Sequence, residues 1–174
     1  LAAVSGTGKT TIARELLRRH TNLKLSVSHT TRQRRAGETD GVDYHFVDRS
    51  EFDALVSANG FAEWAEYVGN AYGTAKKTID AAKHRGIDLI FDIEIQGARQ
   101  LKKQYPDAVT VFLLPPDWTE VKRRLTDRGT DDEKTIAARL ERGKAEMAAA
   151  SEFDYLVVNH ELEKAIVDVG AIYR

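Results

Sequence analysis

The chain has 174 residues, no cysteine, and 26 Lys and Arg against 27 Asp and Glu, for a formal charge of −1. That length suits one domain with a self-sufficient core. The lack of thiols excludes a disulfide scaffold, a thiolate metal site and a cysteine nucleophile, while the balanced charge argues against a duplex nucleic-acid binder with a wholly basic surface. A composition of 42% hydrophobic and 30% charged residues is globular. No apolar run approaches the roughly 20 residues of a membrane span. The opening Leu1–Val4 is too short for a signal peptide and begins without Met, so the natural N-terminus is expected to have been trimmed. The expected setting is cytoplasmic.

Short β-like runs alternate with amphipathic stretches, predicting an α/β fold with a parallel sheet flanked by helices. Leu1–Val4 reads as the tail of a strand, and Lys9–His20 as a helix with Ile12, Ala13, Leu16 and Leu17 on one face. Leu25–Ser28 is the next expected strand. Residues 29–74 break the alternation with short runs, Val42–Val47 and Phe61–Tyr67, and a small helix opening with Ser50 and Asp53 at capping-box spacing. Gly86 stops a helix before the apolar strand Ile87–Ile93. Val109–Leu114 and Tyr155–Val158 are further strands, and the last helix aligns Leu162, Ala165, Ile166 and Val169. Residues 124–143 are dense in charge and poor in large apolar residues, as expected of an exposed, mobile segment.

Between the first strand and helix stands Ser5-Gly6-Thr7-Gly8-Lys9-Thr10-Thr11. A bound triphosphate needs backbone N–H groups at close approach, a helix N-terminus, a Lys and a hydroxyl for Mg²⁺, and this heptapeptide supplies each. The full phosphate-loop pattern begins with Gly, where this chain has Ala3. A second polar region follows. Residues 16–37 hold six Lys and Arg and no acid, whereas residues 38–66 hold eight acids and one Arg. Such a reversal suits a second anion site beside a polar recognition pocket, with Arg32 and Arg35 as bidentate donors and Tyr44 adding a hydroxyl. Asp92 closes the apolar run Leu89-Ile90-Phe91, where ligand crevices of such sheets lie. The five histidines are scattered, and Trp64 and the strand aromatics read as core.

Three longer segments join these pieces: S-V-S-x-T-T-R-x-x-R-x-G-E-x-x-G-x-D-Y-x-F over Ser26–Phe46, F-A-E-W-A-E-Y-x-G-N-x-Y-G-T over Phe61–Thr74, and D-I-E-I-Q-G over Asp92–Gly97. With R-R-L-T-D-R-G-T (Arg123–Thr130) and V-V-N (Val157–Asn159), the chain resembles the guanylate kinases over essentially its whole length. The resemblance implies a core (1–28, 75–123 and 144–174), an inserted mixed α/β GMP-binding subdomain (29–74) and a helical lid (124–143). It implies transfer of a phosphoryl group from ATP, with Mg²⁺, to GMP.

The resemblance also distributes roles. Ser5 to Thr11 would hold the ATP phosphates, Thr10 the Mg²⁺, and Asn159 would lie near the adenine. Arg32, Arg35, Tyr44 and Tyr72 would hold the GMP phosphate. Ser28, Glu63 and Thr74, with Gly73 beside them, would read guanine. Glu63 has an independent reason, because guanine presents two adjacent donors that one carboxylate accepts and adenine does not. Asp92 and Glu94 would contact GMP, or Asp92 would orient Mg²⁺ through water. Arg124, Arg128 and Arg139 would be lid cations that neutralise the transferring phosphoryl group. Arg34 stands where the family has proline, which removes a backbone restraint between Arg32 and Arg35. Two other readings compete: a catalytically inactive phosphopeptide-binding relative, and a small-molecule kinase with another acceptor. The intact Gly6, Gly8, Lys9 and Thr10 oppose the first, and Ser28, Glu63 and Thr74 the second.

Overall fold

The alternating pattern resolves into nine strands and seven α-helices among residues 1–67, 69–127 and 132–174, which the computed structural model describes. In chain order they are β1 (Ala2–Ala3), α1 (Lys9–Arg19), β2 (Leu23–Leu25), β3 (His29–Thr30), β4 (His45–Phe46), α2 (Arg49–Ser57), β5 (Phe61–Tyr67), β6 (Asn70–Ala75) and α3 (Lys76–His84). There follow β7 (Asp88–Ile90), α4 (Ile95–Gln104), β8 (Val111–Leu114), α5 (Trp118–Asp127), α6 (Glu133–Met147), β9 (Tyr155–Val158) and α7 (Leu162–Tyr173).

The chain divides into two units. The first comprises Leu1–His20, Asp92–Ile95 and Val109–Arg174. Its parallel sheet has the order β1-β8-β9, with Ala2 and Ala3 opposite Phe112 and Leu113. Apolar β8 is buried because it is the central strand, and Phe112 and Leu113 are fully covered. Ala2, Val4 and Phe112 form one core cluster, and Trp118 and Met147 pack against it. In α7, Ala165, Ile166 and Val169 are buried, but Leu162 at the first turn is 43% exposed. The expected four-residue stripe therefore starts one turn later.

Segment 124–143 departs from its expectation as an exposed strip. The described residues form α5 and α6, and Val121, Leu125 and Ile136 make a small apolar core with Trp118 and Leu140. The charges that dominate the sequence here lie on the outer faces, hiding a stripe of few but well-spaced apolar residues. Asp132 caps α6 by accepting the Thr135 N–H at 2.7 Å. Gly143 in mid-helix lets α6 close on β1: a Cβ there would lie 2.9 Å from Val4 Cγ1 and 3.0 Å from Trp118.

The second unit comprises Thr21–Phe91 and Gln96–Ala108. It holds the parallel pair β2-β7 and a four-stranded mixed sheet of order β4-β3-β6-β5. Strand β2 ends at Leu25 rather than running through Ser28, and the Ser26 N–H still bonds Ile90 O at 2.9 Å. Strand β7 covers only Asp88–Ile90 of the expected Ile87–Ile93. In the run Val42–Val47 only His45–Phe46 is strand, because the preceding segment is held in a turn by Asp43 accepting the Thr39 N–H. Helix α2 is capped by Asp48, which accepts the Glu51 N–H, rather than by Ser50. Asp53 instead pairs with Arg49 one turn back. Phe52, fully buried, packs on Phe61 with ring centroids 4.5 Å apart and anchors this unit's core. Such a side chain contributes about 1.5–3 kcal/mol by burial.

Candidate functional site

The first unit builds an anion site from backbone. Gly6 and Gly8 take φ of +86° and +94°, conformations that L side chains rarely adopt, and Gly8 caps α1. The Val4 carbonyl accepts from both the Thr7 N–H (3.1 Å) and the Thr7 hydroxyl (2.7 Å), closing the turn. Lys9 Nζ lies 2.7 Å from Asp92 Oδ1 and donates to Ile93 O at 3.0 Å. The Thr10 hydroxyl donates to Asp92 Oδ2 at 3.4 Å. Thr10 and Thr11 are exposed at the helix start. A hydroxyl and a carboxylate this close form a hard oxygen set that suits Mg²⁺ rather than a softer metal.

Around this loop runs a charged network. The Ser5 N–H donates to Glu146 Oε2 at 3.2 Å. Arg142 bridges Glu146 (2.8 Å) and Glu94 (3.0 Å). Arg124 donates to Glu120 at 2.7 Å and to the Asn159 carbonyl at 3.3 Å. Hydrogen bonds from Arg123 and Arg124 pull the Glu120 carboxyl down to about 2, so it stays ionised at neutral pH. Asn159 is 2% exposed, and its amide donates to Thr7 O at 2.6 Å.

The second unit builds its site from side chains. Glu63 on β5 lies opposite Thr74 on β6, and Ser28, just before β3, has its hydroxyl 3.2 Å from that of Thr74. Glu63 is 5% exposed and Thr74 fully buried. Burial pushes the Glu63 carboxyl above the usual range, opposed by hydrogen bonds from the Thr74 side chain and backbone. Gly73 lets the two strands close: a Cβ there would lie 2.8 Å from Trp64 Cβ and 3.0 Å from Glu63 O.

Beside them Arg32 forms a two-pronged pair with Glu38, at 2.7 and 3.1 Å, and donates to Gln33 O at 2.8 Å. Its guanidinium carbon stands 5.4 Å from the Tyr44 ring centroid, and the Tyr44 and Tyr72 rings meet edge-on at 6.0 Å. The Arg32 hydrogen bond holds the Glu38 carboxyl below its usual range, helped by the Arg35 N–H at 2.8 Å. The Arg35 side chain is exposed. Thus Glu38 supplies the restraint between the two arginines that a proline would otherwise give. His29 is 4% exposed, packs 4.7 Å from His45 and 5.6 Å from Phe61, and its Nδ1 has no hydrogen-bond partner among the described residues. Burial first, then the charges of His45 and Lys77, lower it to about 4 against a raising contribution from Asp40. His29 is therefore a neutral core residue under the sheet.

The guanylate kinase family model matches residues 1–174. This chain belongs to the guanylate kinase family. A guanylate kinase of Thermus thermophilus is 50% identical over 172 residues, covering 99% of this chain and 78% of its own. That of Pseudoalteromonas translucida is 43% identical over 172 residues, covering 99% and 84%. The crystal structure of guanylate kinase from Anaplasma phagocytophilum superposes with a TM-score of 0.78 at 32% identity, covering 99% of this chain and 81% of that one. The α/β fold with a parallel sheet is thereby that of the family.

Within this guanylate kinase fold, two groups of sequence-predicted residues assemble. Lys9, Thr10 and Asp92 meet in the first unit, and Ser28, Glu63 and Thr74 meet in the second, with Arg32, Tyr44 and Tyr72 clustered in the latter. Asp92 and Glu94, left undivided by sequence, have different partners: Asp92 takes Lys9 and Thr10, Glu94 takes Arg142. Arg139 lies half-buried on α6, and Arg128 lies outside the described residues. Sequence reasoning missed Glu38, Glu120, Glu146 and the bridging role of Arg142. Only the i,i+4 spacings of Glu120–Arg124 and Arg142–Glu146 carried a signal. Among the described residues no helix is long and apolar enough to cross a membrane.

Proposed function

We propose that this chain transfers the γ-phosphoryl group of ATP to GMP, giving ADP and GDP. The observation that carries the reading is Glu63, a buried carboxylate hydrogen-bonded by Thr74, whose hydroxyl in turn meets that of Ser28, in the same unit as the Arg32–tyrosine cluster. An ionised Glu63, supported by the Thr74 hydroxyl, accepts from guanine N1–H and N2–H, and the Ser28 hydroxyl donates to O6 while Thr74 stays on Glu63. Adenine offers neither donor and would leave the buried carboxylate unpaired, a mismatch worth about 10⁴–10⁵ in discrimination. Arg32, with Arg35, Tyr44 and Tyr72, takes the GMP phosphate, exchanging Glu38 for phosphate oxygens.

The loop Ser5–Thr11 holds the ATP phosphates through its N–H groups, and Lys9 reaches the β- and γ-phosphates. Thr10, with Asp92 through water, would hold Mg²⁺. That ion supplies charge neutralisation at the phosphate oxygens. An oxygen of the GMP phosphate attacks the γ-phosphorus as the bond to the β-phosphate oxygen breaks, and the electron pair leaves with ADP. A phosphate monoester has its second pKa near 6 and is mostly dianionic at neutral pH, so the step needs no general base. Arg124, Arg128 and Arg139 balance the charge spread over the transferring oxygens. The core, the GMP-binding part at 29–74 and the lid at 124–143 divide these tasks. Substrates drawn from soluble nucleotide pools suit a cytoplasmic location. A coupled ADP-release assay with GMP, AMP, CMP and UMP tests the reading. Turnover with GMP far above the others is expected, and its absence overturns it.

A further inference from the structure

The resemblance assigns Asn159 to the adenine, yet its side-chain N–H is used inside the protein, while its Oδ1 is buried with no hydrogen-bond partner among the described residues. Its amide Nδ2 donates to Thr7 O at 2.6 Å, across 152 positions of sequence. The residue is 2% exposed at the end of β9, and its own N–H is tied to Leu114 O at 2.8 Å. Its carbonyl accepts from Arg124 at 3.3 Å. A Cβ on Gly8 would stand 2.9 Å from Asn159 Nδ2, so this amide occupies the space a side chain at position 8 would fill. The amide orientation is fixed by chemistry, since the flipped form would set Oδ1 against the Thr7 oxygen.

A trans peptide is planar, with its C=O and N–H pointing in opposite directions. Holding Thr7 O on Asn159 therefore turns the Gly8 N–H to the other side. This peptide runs from Thr7 into Gly8, whose φ of +94° is a conformation that glycine adopts readily, so a flip about the Thr7 ψ and Gly8 φ meets no Cβ on the Gly8 side. A flip would present a carbonyl oxygen to a phosphate instead of a donor. We propose that Asn159 is a positioning residue for the donor phosphates, locking the Thr7–Gly8 peptide with its N–H toward the bound anion. Position 159 thus acts through the loop, whichever base the donor nucleotide carries. This inference rests on the phosphate-loop reading above.

Asn159→Asp keeps the shape but loses the donor and sets oxygen against Thr7 O. Inorganic tripolyphosphate, which has no base, is the probe, with binding measured by calorimetry on the full chain. Unmodified protein should bind it, and failure there would overturn the phosphate-loop reading itself. Binding by the variant should weaken roughly 10–100-fold, the scale for removing a group that supports a ligand shell. In turnover the variant should show a similar rise in KM for ATP and for GTP as donors, with KM for GMP as acceptor within about twofold. Unchanged tripolyphosphate binding with a loss confined to ATP would overturn the proposal in favour of adenine contact. Should the variant fail to fold, the native protein still decides. One Asn159 side-chain amide proton should exchange slowly with solvent and the Gly8 amide resonance should move on adding tripolyphosphate. Fast exchange of both protons, or an unmoved Gly8 signal, counts against it.

Discussion

The two halves of the proposed chemistry are built from different materials. The donor site is made of backbone: one continuous loop, two left-handed glycines and a helix start, with side chains from distant positions holding it in shape. The acceptor site is made of side chains from four separate stretches, Ser28, Arg32, Tyr44 and the Glu63–Thr74 pair. Backbone N–H groups recognise any phosphate, since every residue carries the same donor. A carboxylate linked to a row of two hydroxyls matches one pattern of donors and acceptors. Generality therefore belongs to one unit and selectivity to the other.

Substitutions can break that contrast, the strongest first. Glu63→Ala should narrow the GMP over AMP preference in kcat/KM by up to about 10⁴-fold. A variant that kept wild-type preference would remove selectivity from the second unit. Lys9→Ala should lower kcat about 10²–10³-fold with every acceptor, leaving the preference intact. A change in acceptor preference would show that the two functions are mixed. Arg32→Lys replaces a planar fork with a point charge and should raise KM for GMP about tenfold at little change in KM for ATP.

Acidity sharpens the contrast further. In the proposed reading GMP needs Glu63 ionised, and burial raises this carboxyl. KM for GMP should therefore climb as pH falls through that raised value, while KM for ATP stays level. A Glu63→Gln variant should keep only the part of the climb that comes from the GMP phosphate itself, whose second pKa is about 6. The same raised pKa means that ionising Glu63 in the folded protein costs stability, which is fully present below the unfolded carboxyl value and lost as pH rises through the folded one. His29 has the opposite sign. Its folded value near 4 lies below the usual 6.5, so stability should fall as pH drops from 6.5 toward about 4. Denaturant titrations of His29→Phe should show a shallower fall, the smallest of these effects.

How much of this could be read beforehand follows the same division. The loop Ser5–Thr11 is seven contiguous residues, and its two glycines and helix start are local features readable from sequence, whereas the distant side chains that hold it are not. Strands β8 and β9 fall within two residues of expectation because both are continuous apolar runs, β8 as the buried centre of its sheet and β9 as a largely exposed strand beside it. The cap of α2 differs from expectation because Ser and Asp are both good capping residues in sequence, and the geometry gives the site to Asp48, to which the Ser50 hydroxyl also donates. The run Val42–Val47 alternates but is strand only over His45–Phe46, since Val42, 62% exposed, has no core to face. The acids that hold the arginines were hidden for a further reason. Glu146 reaches Ser5 across 141 positions, and Glu94 reaches Arg142 across 48, distances over which charge pattern carries no information.

The pairing of Arg32 with Glu38 makes the acceptor pocket its own counterion. Inorganic phosphate or sulfate entering there must evict a carboxylate already bound through two prongs and a backbone amide, and gains little by the exchange. A nucleotide brings a base that anchors on Glu63 as well, and so meets the cost of eviction from a second source. Inorganic phosphate should therefore compete only weakly with the nucleotide for this proposed pocket.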